Sequence, residues 1–543
     1  MRKSTGAAVA TVGALALVLA GCATTKPAES GASNGGSGAT MTLGTTDKVT
    51  SIDPAGSYDN GSFFVMNQIY AFITNTKPGG GETVPSPDIA ESADFTSPTE
   101  FTVKLKSGLK FANGHDLTSS DVKFTYDRMV KIADPNGPAS LLGNLAKVDA
   151  PDPTTVVFTL KVANDQTFAQ VLSSPAGPLV DEEVFPADKV LADEDIVKGK
   201  PFSGQYSISS WSKNDLVSYE ANPEYKGMLG APATSKVNVK HYTEASNLRL
   251  DIEKGNIDVA WRSLSATDIE SLGKVDTLKV HEGPGGEIRY LVFNFNTMPF
   301  GAKDKEPNPA KAKAVRQAMA SLIDREAVAS SVFKNTYTPL WSYIPDGLPG
   351  SGTQFKDNYG NGSGKPDVDK AKAALQAAGV STPVTLNIQY SPDHYGPSSG
   401  DEYAAYKSQL ENGGLFTVNL QSTEWVQYSK DRSSDVYPMH QLGWFPDISD
   451  ADNYLTPFFS KESFLANHYD NAEVQKLIGE QVGITDKSAR EAAFKKISDL
   501  VSDDVSTLPL LQGKQIAISG TGVKGVDDTL DASFKFRLGV LSK

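Results

Sequence analysis

The chain has 543 residues, a formal net charge of -14 and a single cysteine, Cys22. One hydrophobic core does not organise that many residues, so two or three domains are expected. The acidic balance excludes the concentrated basic surface of a nucleic-acid binder, and a lone cysteine excludes an internal disulfide framework.

The N-terminus reads Met1-Arg2-Lys3, runs through an apolar stretch over residues 7–20, and reaches Leu19-Ala20-Gly21-Cys22. A basic start, a short apolar segment and small residues before a cut describe an export signal. A cysteine directly after it resembles a bacterial lipobox, which makes Cys22 the expected lipidation site and residues 1–21 the signal peptide. The alternative is an ordinary cleaved signal followed by a chance cysteine. The apolar run falls short of a bilayer span, which takes about 20 apolar residues. Acyl chains contribute about 0.8 kcal/mol per buried CH₂, so lipid on Cys22 would tether the protein to a membrane face. Its work is then done outside the cytoplasm, by a mature chain of charge about -16 once Arg2 and Lys3 are gone.

Residues 22–40, with Ser30-Gly31-Ala32-Ser33-Asn34-Gly35-Gly36-Ser37-Gly38, read as a flexible leash. Gly31-Ala32-Ser33-Asn34-Gly35 fits the G-x-S-x-G hydrolase pattern, but no strand precedes it and no helix follows, so the match is chance. A short strand is expected over residues 49–52, stopped by Pro54. Phe63, Phe64, Ile69, Tyr70 and Ile73 predict a helix. Residues 100–106 and 154–162 alternate with period two and predict half-buried antiparallel strands. Between them Thr118 and Asp121 form a capping box that starts a helix. Residues 248–252 and 257–261 read as helix and strand around a turn. Val315, Ala318, Met319, Leu322 and Ile323 recur at helical spacing. Residues 367–378 predict a helix closed by Gly379, followed by a strand over 384–388. The alternation of strands and helices indicates α/β lobes.

Catalytic chemistry has no positive signal. None of the six histidines has the i, i+4 spacing of a zinc helix. Gly360-Asn361-Gly362-Ser363-Gly364-Lys365 resembles a phosphate loop, but Pro366 stands where the hydroxyl residue belongs, so it reads as a surface turn. The most distinctive stretch is Gln441-Leu442-Gly443-Trp444-Phe445-Pro446-Asp447-Ile448-Ser449-Asp450-Ala451-Asp452-Asn453-Tyr454-Leu455. Gly443 would permit close backbone approach by a ligand, Trp444 offers a rigid surface, and the Asp447 carboxylate could meet an ammonium. The same residues could equally form an acidic turn beside a core tryptophan.

Several segments arrive in one order: Thr50-Ser51-Ile52-Asp53-Pro54, Pro87-Asp88-Ile89-Ala90-Glu91-Ser92, Phe101-Thr102-Val103-Lys104-Leu105-Lys106-Ser107-Gly108 and Leu117-Thr118-Ser119-Ser120-Asp121-Val122. Gly204-Gln205-Tyr206, Asn222-Pro223-Glu224-Tyr225, Gly255-Asn256-Ile257-Asp258, Val315-Arg316-Gln317-Ala318-Met319 and Gly443-Trp444 with Asp447 follow. In this order the chain resembles family 5 solute-binding proteins of ABC importers, the dipeptide and oligopeptide receptor group. The resemblance covers residues 43–540 and implies an α/β, two-lobed periplasmic-binding-protein-like fold of class II, cluster C. Lobe I would comprise residues 41–75, 200–298 and 506–543, an inserted domain II residues 76–199, and lobe III residues 299–505, with hinge crossovers near Asn296 and Val505.

The resemblance further implies a non-catalytic, monomeric receptor without cofactor or metal. It would capture extended peptides between lobes and deliver them to a permease and ATPase complex, with no role for nucleic acid. Asp447 matches the position that holds a peptide's α-ammonium. Gly443 and Phe445 match the segment that hydrogen-bonds its main chain, and Trp444 packs beside them. Gln441 stands where some oligopeptide receptors carry an arginine for the C-terminal carboxylate, which argues against a fixed tripeptide length. The alternative is a receptor for another solute such as an oligosaccharide, stacked on Trp261, Trp341, Trp425 or Trp444.

Overall fold

Two mixed sheets organise the chain, and the path between them decides where a ligand can sit. The computed structural model describes residues 40–79, 83–262, 264–396, 398–461, 463–531 and 535–543. Cys22, the leash and the serine of the chance hydrolase match lie outside the described residues. The first sheet has seven strands in the order Leu278–Gly283, Gln515–Gly520, Val259–Trp261, Met41–Thr45, Lys236–His241, Leu216–Ala221 and Tyr206–Ser212. Met41–Thr45 runs parallel to both of its neighbours, and the remaining pairs are antiparallel. The second sheet has six strands in the order Tyr337–Pro339, Thr507–Gly513, Ile288–Phe293, Met439–Trp444, Val384–Tyr390 and Phe416–Ser422. Each sheet has its own apolar core: Phe64, Trp261 and Phe536 in the first, Tyr290, Phe458 and Leu510 in the second. The fold is thus α/β with two lobes.

A four-stranded antiparallel sheet, Ala90–Ser97, Glu100–Leu105, Thr155–Leu160 and Leu145–Asp152, forms an additional body with a third core around Phe101, Tyr126 and Phe158. The two alternating segments expected as strands pair directly here, Phe101 opposite Phe158. The helix Ser119–Ile132 starts at the expected capping box, with Thr118 and Asp121 bonded reciprocally. Its Arg128 reaches into the first lobe and forks onto Asp53 at 2.8 and 2.6 Å, and both residues are buried. The segment Thr50-Ser51-Ile52-Asp53-Pro54 is thus tied by a buried ion pair to the helix that the capping box starts.

The helices Ala245–Glu253, Pro309–Leu322 and Val368–Ala377 stand where periodicity places them, and Gly379 takes φ 67 after the last; the helix Asn60–Ile69 ends short of expectation, because Tyr70 turns extended as its C-cap and leaves Ile73 outside it. Residues 360–365 form the expected turn, its Asn361 carboxamide oxygen accepting from the Ser363 and Lys365 amides. The expected strand over residues 49–52 does not form. Val49 and Ile52 are buried, but their N–H groups go to side chains, Asn214 Oδ1 at 2.7 Å and Asp193 Oδ1 at 2.9 Å. Burial without a ladder is what the short apolar run could not reveal. The first strand is instead Met41–Thr45.

The chain changes sheet between Gly283 and Ile288, and again at Lys514 between Gly513 and Gln515. These crossovers differ from the expected positions near Asn296 and Val505, because Ile288–Phe293 and Thr507–Gly513 pair with each other inside the second sheet. The two connections lie side by side. The Gly513 N–H donates to Glu287 O at 2.9 Å, Gln512 Nε2 donates to Gly285 O at 2.7 Å, and a Cβ on Gly285 would stand 1.6 Å from Gly513 O. Only glycine fits where the two backbones pass.

Candidate ligand-binding cleft

The strand Met439–Trp444 lies inside the second sheet, with Gly443 opposite Arg289 and Trp444 opposite Ile288. Its pairing to Val384–Tyr390 extends only to His440, so its last residues have a strand neighbour on one side alone. Pro446, without an N–H, ends the strand direction, and the chain turns through Asp447 into the helix Asp452–Phe459.

Asn453, one residue into that helix, fixes the turn. Its side-chain oxygen accepts from Trp444 Nε1 at 3.0 Å and from the Asp447 N–H at 2.9 Å, and its amide donates to Asp447 Oδ2 at 3.1 Å. The other carboxylate oxygen accepts a hydrogen bond from the Tyr58 hydroxyl, which comes from the first lobe. Asp447 is half-buried and, among the described residues, makes no ion pair. Burial pushes its carboxyl above the ordinary carboxylate range, and the bonds from Tyr58 and Asn453 pull it partly back. A carboxylate held by neutral donors, with no cation beside it among the described residues, has the chemistry to accept a cationic group.

A cavity of about 490 Å³ opens at this point between the lobes. Gly443, Trp444, Phe445 and Asp447 line it together, so the structure brings four of the expected site residues to one wall. Facing them are Tyr58, Asp59 and Phe63 of the first lobe and Leu141 and Pro175 of the four-stranded body. His394 stacks on Trp425 with ring centroids 3.6 Å apart and planes at 5°, closing one side. Its imidazole is pushed below the ordinary value by burial, which keeps this wall neutral. Such a mostly apolar space with two carboxylates, Asp447 and Asp59, in its walls has the character of a small-ligand site.

Four placements differ from expectation. The space above Gly443 is filled by Tyr395, whose ring carbon would stand 2.8 Å from a Cβ there, so the glycine admits an aromatic ring of its own lobe rather than ligand backbone. Gln441 reaches neither this cavity nor its neighbour. It is 1 % exposed, its oxygen accepting from the Ser391 N–H at 3.0 Å and its nitrogen bonded to Ser399 Oγ at 3.2 Å, because its position on the strand faces the lobe interior. Trp261 is 1 % exposed between Phe64 and Phe536, with ring centroids at 5.2 and 4.7 Å, and contributes the floor of a second cavity of about 170 Å³. Trp341 packs under Arg325, 4.8 Å from its guanidinium, and lines neither cavity.

Tyr58, Asn453, Tyr395 and the stacking of His394 on Trp425 were not found from sequence. Asn453 alone carried a signal, lying six residues beyond Asp447 in the same acidic segment. Among the described residues, no group of three or more His, Cys, Asp or Glu is placed to hold a metal ion, and no helix is long and apolar enough to cross a membrane.

A cleft between two α/β lobes, joined by paired crossovers and walled by aromatic rings and two carboxylates, defines a receptor for a small solute. The pattern of bacterial extracellular solute-binding proteins, family 5 middle, matches residues 84–465, and the chain belongs to that family. It is an extracytoplasmic solute-binding protein, and its family's task is binding rather than catalysis. Among relatives, it is 26% identical over 89% of its length to 90% of the probable D,D-dipeptide-binding periplasmic protein DdpA of Escherichia coli K12. It is 24% identical over 88% of its length to 87% of the dipeptide-binding protein DppE of Bacillus subtilis. The crystal structure of the ABC transporter substrate binding protein CtaP from Listeria monocytogenes shares the fold with a TM-score of 0.77 at 22% identity, covering 93% of this chain and 99% of that one. The unliganded open form of the murein tripeptide binding protein MppA does so with a TM-score of 0.76 at 19% identity, covering 93% and 97%.

Proposed function

We propose that this protein captures peptides in the cleft between its lobes and presents them to the permease of an ABC importer, tethered to the membrane by lipid on Cys22. The observation that carries the reading is Asp447, an enclosed carboxylate with neutral hydrogen-bond donors and no cation beside it, facing a cavity of suitable size. A peptide's α-ammonium supplies the missing charge. The one-sided end of the strand Met439–Trp444 offers backbone groups to an extended main chain, a form of strand addition that gives affinity without reading side chains. Relatives named for dipeptides support the same cargo class.

In this reading the body comprising residues 40–283 and 515–543, which includes the four-stranded sheet, turns against residues 288–513 about the paired crossovers at 284–287 and Lys514. Ligand then sits where the lobes close, as in other hinged receptors.

Calorimetry with a co-purifying peptide, identified by mass spectrometry, tests the anchor. Truncating one partner of an enclosed charge pair costs about 2 to 5 kcal/mol, so Asp447→Asn should weaken binding about 30-fold or more. Acetylating the peptide N-terminus should cost the native protein a similar amount and the Asp447→Asn protein much less. Equal binding of free and acetylated peptide by the native receptor would overturn the anchor and move an oligosaccharide-like cargo to first place.

A further inference from the structure

The four-stranded body touches the second lobe as well as the first, at residues that line neither cavity. The Gln166 N–H of that body donates to Val482 O at 3.0 Å, and Gln170 Nε2 donates to Asp450 Oδ2 at 3.1 Å. In the proposed closure these bonds form when the body and the lobe meet and break when they part.

Charge at this contact is unbalanced. The body brings Asp165, which is buried and accepts from the Thr167 N–H at 2.9 Å, the Thr167 hydroxyl at 2.7 Å and the Asn144 amide at 2.6 Å. The lobe brings Asp450 and Asp452 against one arginine. Arg490 spends both terminal nitrogens on Asp450, at 2.8 and 2.9 Å, and its Nε on Gln481 Oε1 at 3.2 Å. Asp452 therefore makes no ion pair among the described residues. Its Oδ1 accepts from the Thr456 hydroxyl at 2.5 Å and from Gln481 Nε2, both neutral. The other charges of the two packed helices, Lys476 with Glu480 and Lys496 with Glu473, pair on the exposed side. Gln170 Oε1, buried at the same contact, has no partner among the described residues. The contact thus holds more acceptors than donors, and a buried acceptor left unpaired is unfavourable.

We propose that this contact is a proton-operated clasp: closure takes up a proton on Asp452, so that mild acid favours the closed receptor and higher pH favours opening. Burial first, and the charges of Asp450 and Asp165 with it, push the Asp452 carboxyl up to about 6, while the Thr456 hydroxyl and Arg490 pull against the shift. Asp165 comes from the opposite body and acts only while the two meet, so the closed form holds the proton more tightly than the open one. The gain in closure is full below the open-state value and is lost as pH rises through about 6. The inference rests on the hinge reading and is independent of what the cargo is. Asp447 titrates in the opposite sense when an ammonium binds it, so the test leaves cargo out.

Hydrogen exchange of the cargo-stripped protein, corrected for the intrinsic pH dependence of amide exchange, reads the fragment holding Gln166, whose N–H is covered by Val482 O. Native protection there should rise about three- to tenfold from pH 8 to pH 5, about tenfold being the limit if the open lobe leaves Asp452 at the ordinary carboxylate value. Asp452→Asn keeps the Oδ1 acceptor without the charge, and should show the acid level of protection at both pH values. Asp165→Asn should shrink the pH effect, and it decides the matter if Asp452→Asn does not fold, judged by circular dichroism. Protection at Gln166 that is lower than in the strand Thr155–Leu160, yet unmoved by pH and by Asp452→Asn, overturns the clasp and leaves the hinge standing. Protection equal to that strand's in every protein shows that the contact never opens, and overturns the hinge reading and this inference together.

Discussion

Removing the side chain of Gln170 should loosen the closed receptor without unfolding it. Gln170 belongs to the four-stranded body and is buried, and its Nε2 donates to Asp450 Oδ2 at 3.1 Å across to the second lobe. Asp450 is already secured within its own lobe by the two nitrogens of Arg490 at 2.8 and 2.9 Å. Gln170→Ala therefore deletes one inter-lobe hydrogen bond and leaves the ion pair whole. A hydrogen bond to a charged group contributes about 1.5 to 3 kcal/mol. Gln170 Oε1 is buried without a partner, so its removal offsets part of the loss and the low end applies. Since 1.4 kcal/mol is about tenfold, peptide affinity should fall by about that factor. The bond exists only when the lobes meet, so the loss should appear in the off-rate, read by stopped-flow tryptophan fluorescence, with the on-rate nearly unchanged. Asp450→Asn is the contrast: it breaks a buried pair and should destabilise the ligand-free protein by about 3 to 5 kcal/mol in urea. Unchanged affinity in Gln170→Ala, or a loss of ligand-free stability equal to the loss of affinity, would refute the latch.

Two further outcomes follow from residues already described. Burial raises the Asp447 carboxyl, so the native state holds that proton more tightly than the unfolded chain, and this contribution to ligand-free stability is full below the ordinary carboxylate value and is lost as pH rises through the raised one. An arriving ammonium favours the charged form, so peptide affinity should fall as pH drops through the raised value, with protons released on binding in that window; calorimetry in buffers of different ionisation enthalpy reads the release, and its absence would contradict the assignment. Gly285→Ala would drive a Cβ to 1.6 Å from Gly513 O, so it should cost about 1 to 3 kcal/mol in urea and impair closure measured by small-angle scattering, whereas native-like values for both would show that the crossovers have room to spare.

Much of the framework was legible because local rules act over short spans. The capping box at Thr118 and Asp121, the alternation over Glu100–Leu105, and the glycine after residue 378 each fix their own neighbourhood. The stretch from Gly443 to Asp447 drew attention for its composition, and its residues do share one cavity wall. What sequence could not supply was partnership across distance. Tyr58 meets Asp447 from far along the chain, and Arg128 finds Asp53 the same way. Gln441 alternates with its neighbours on the strand, and only the sheet's orientation decides that it points inward. The crossovers were misplaced because the segments Ile288–Phe293 and Thr507–Gly513 carry no mark of which sheet they join.

The paired crossovers have a mechanical corollary. In the proposed closure, two short connections bonded to each other, with Gly285 pressed against Gly513, would leave one soft rotation and resist shear and twist. Cargoes of different size and side chain would then drive the molecule along a single track to much the same final posture. A membrane partner could inspect that posture alone and remain indifferent to what is carried, which lets one docking face serve a varied diet.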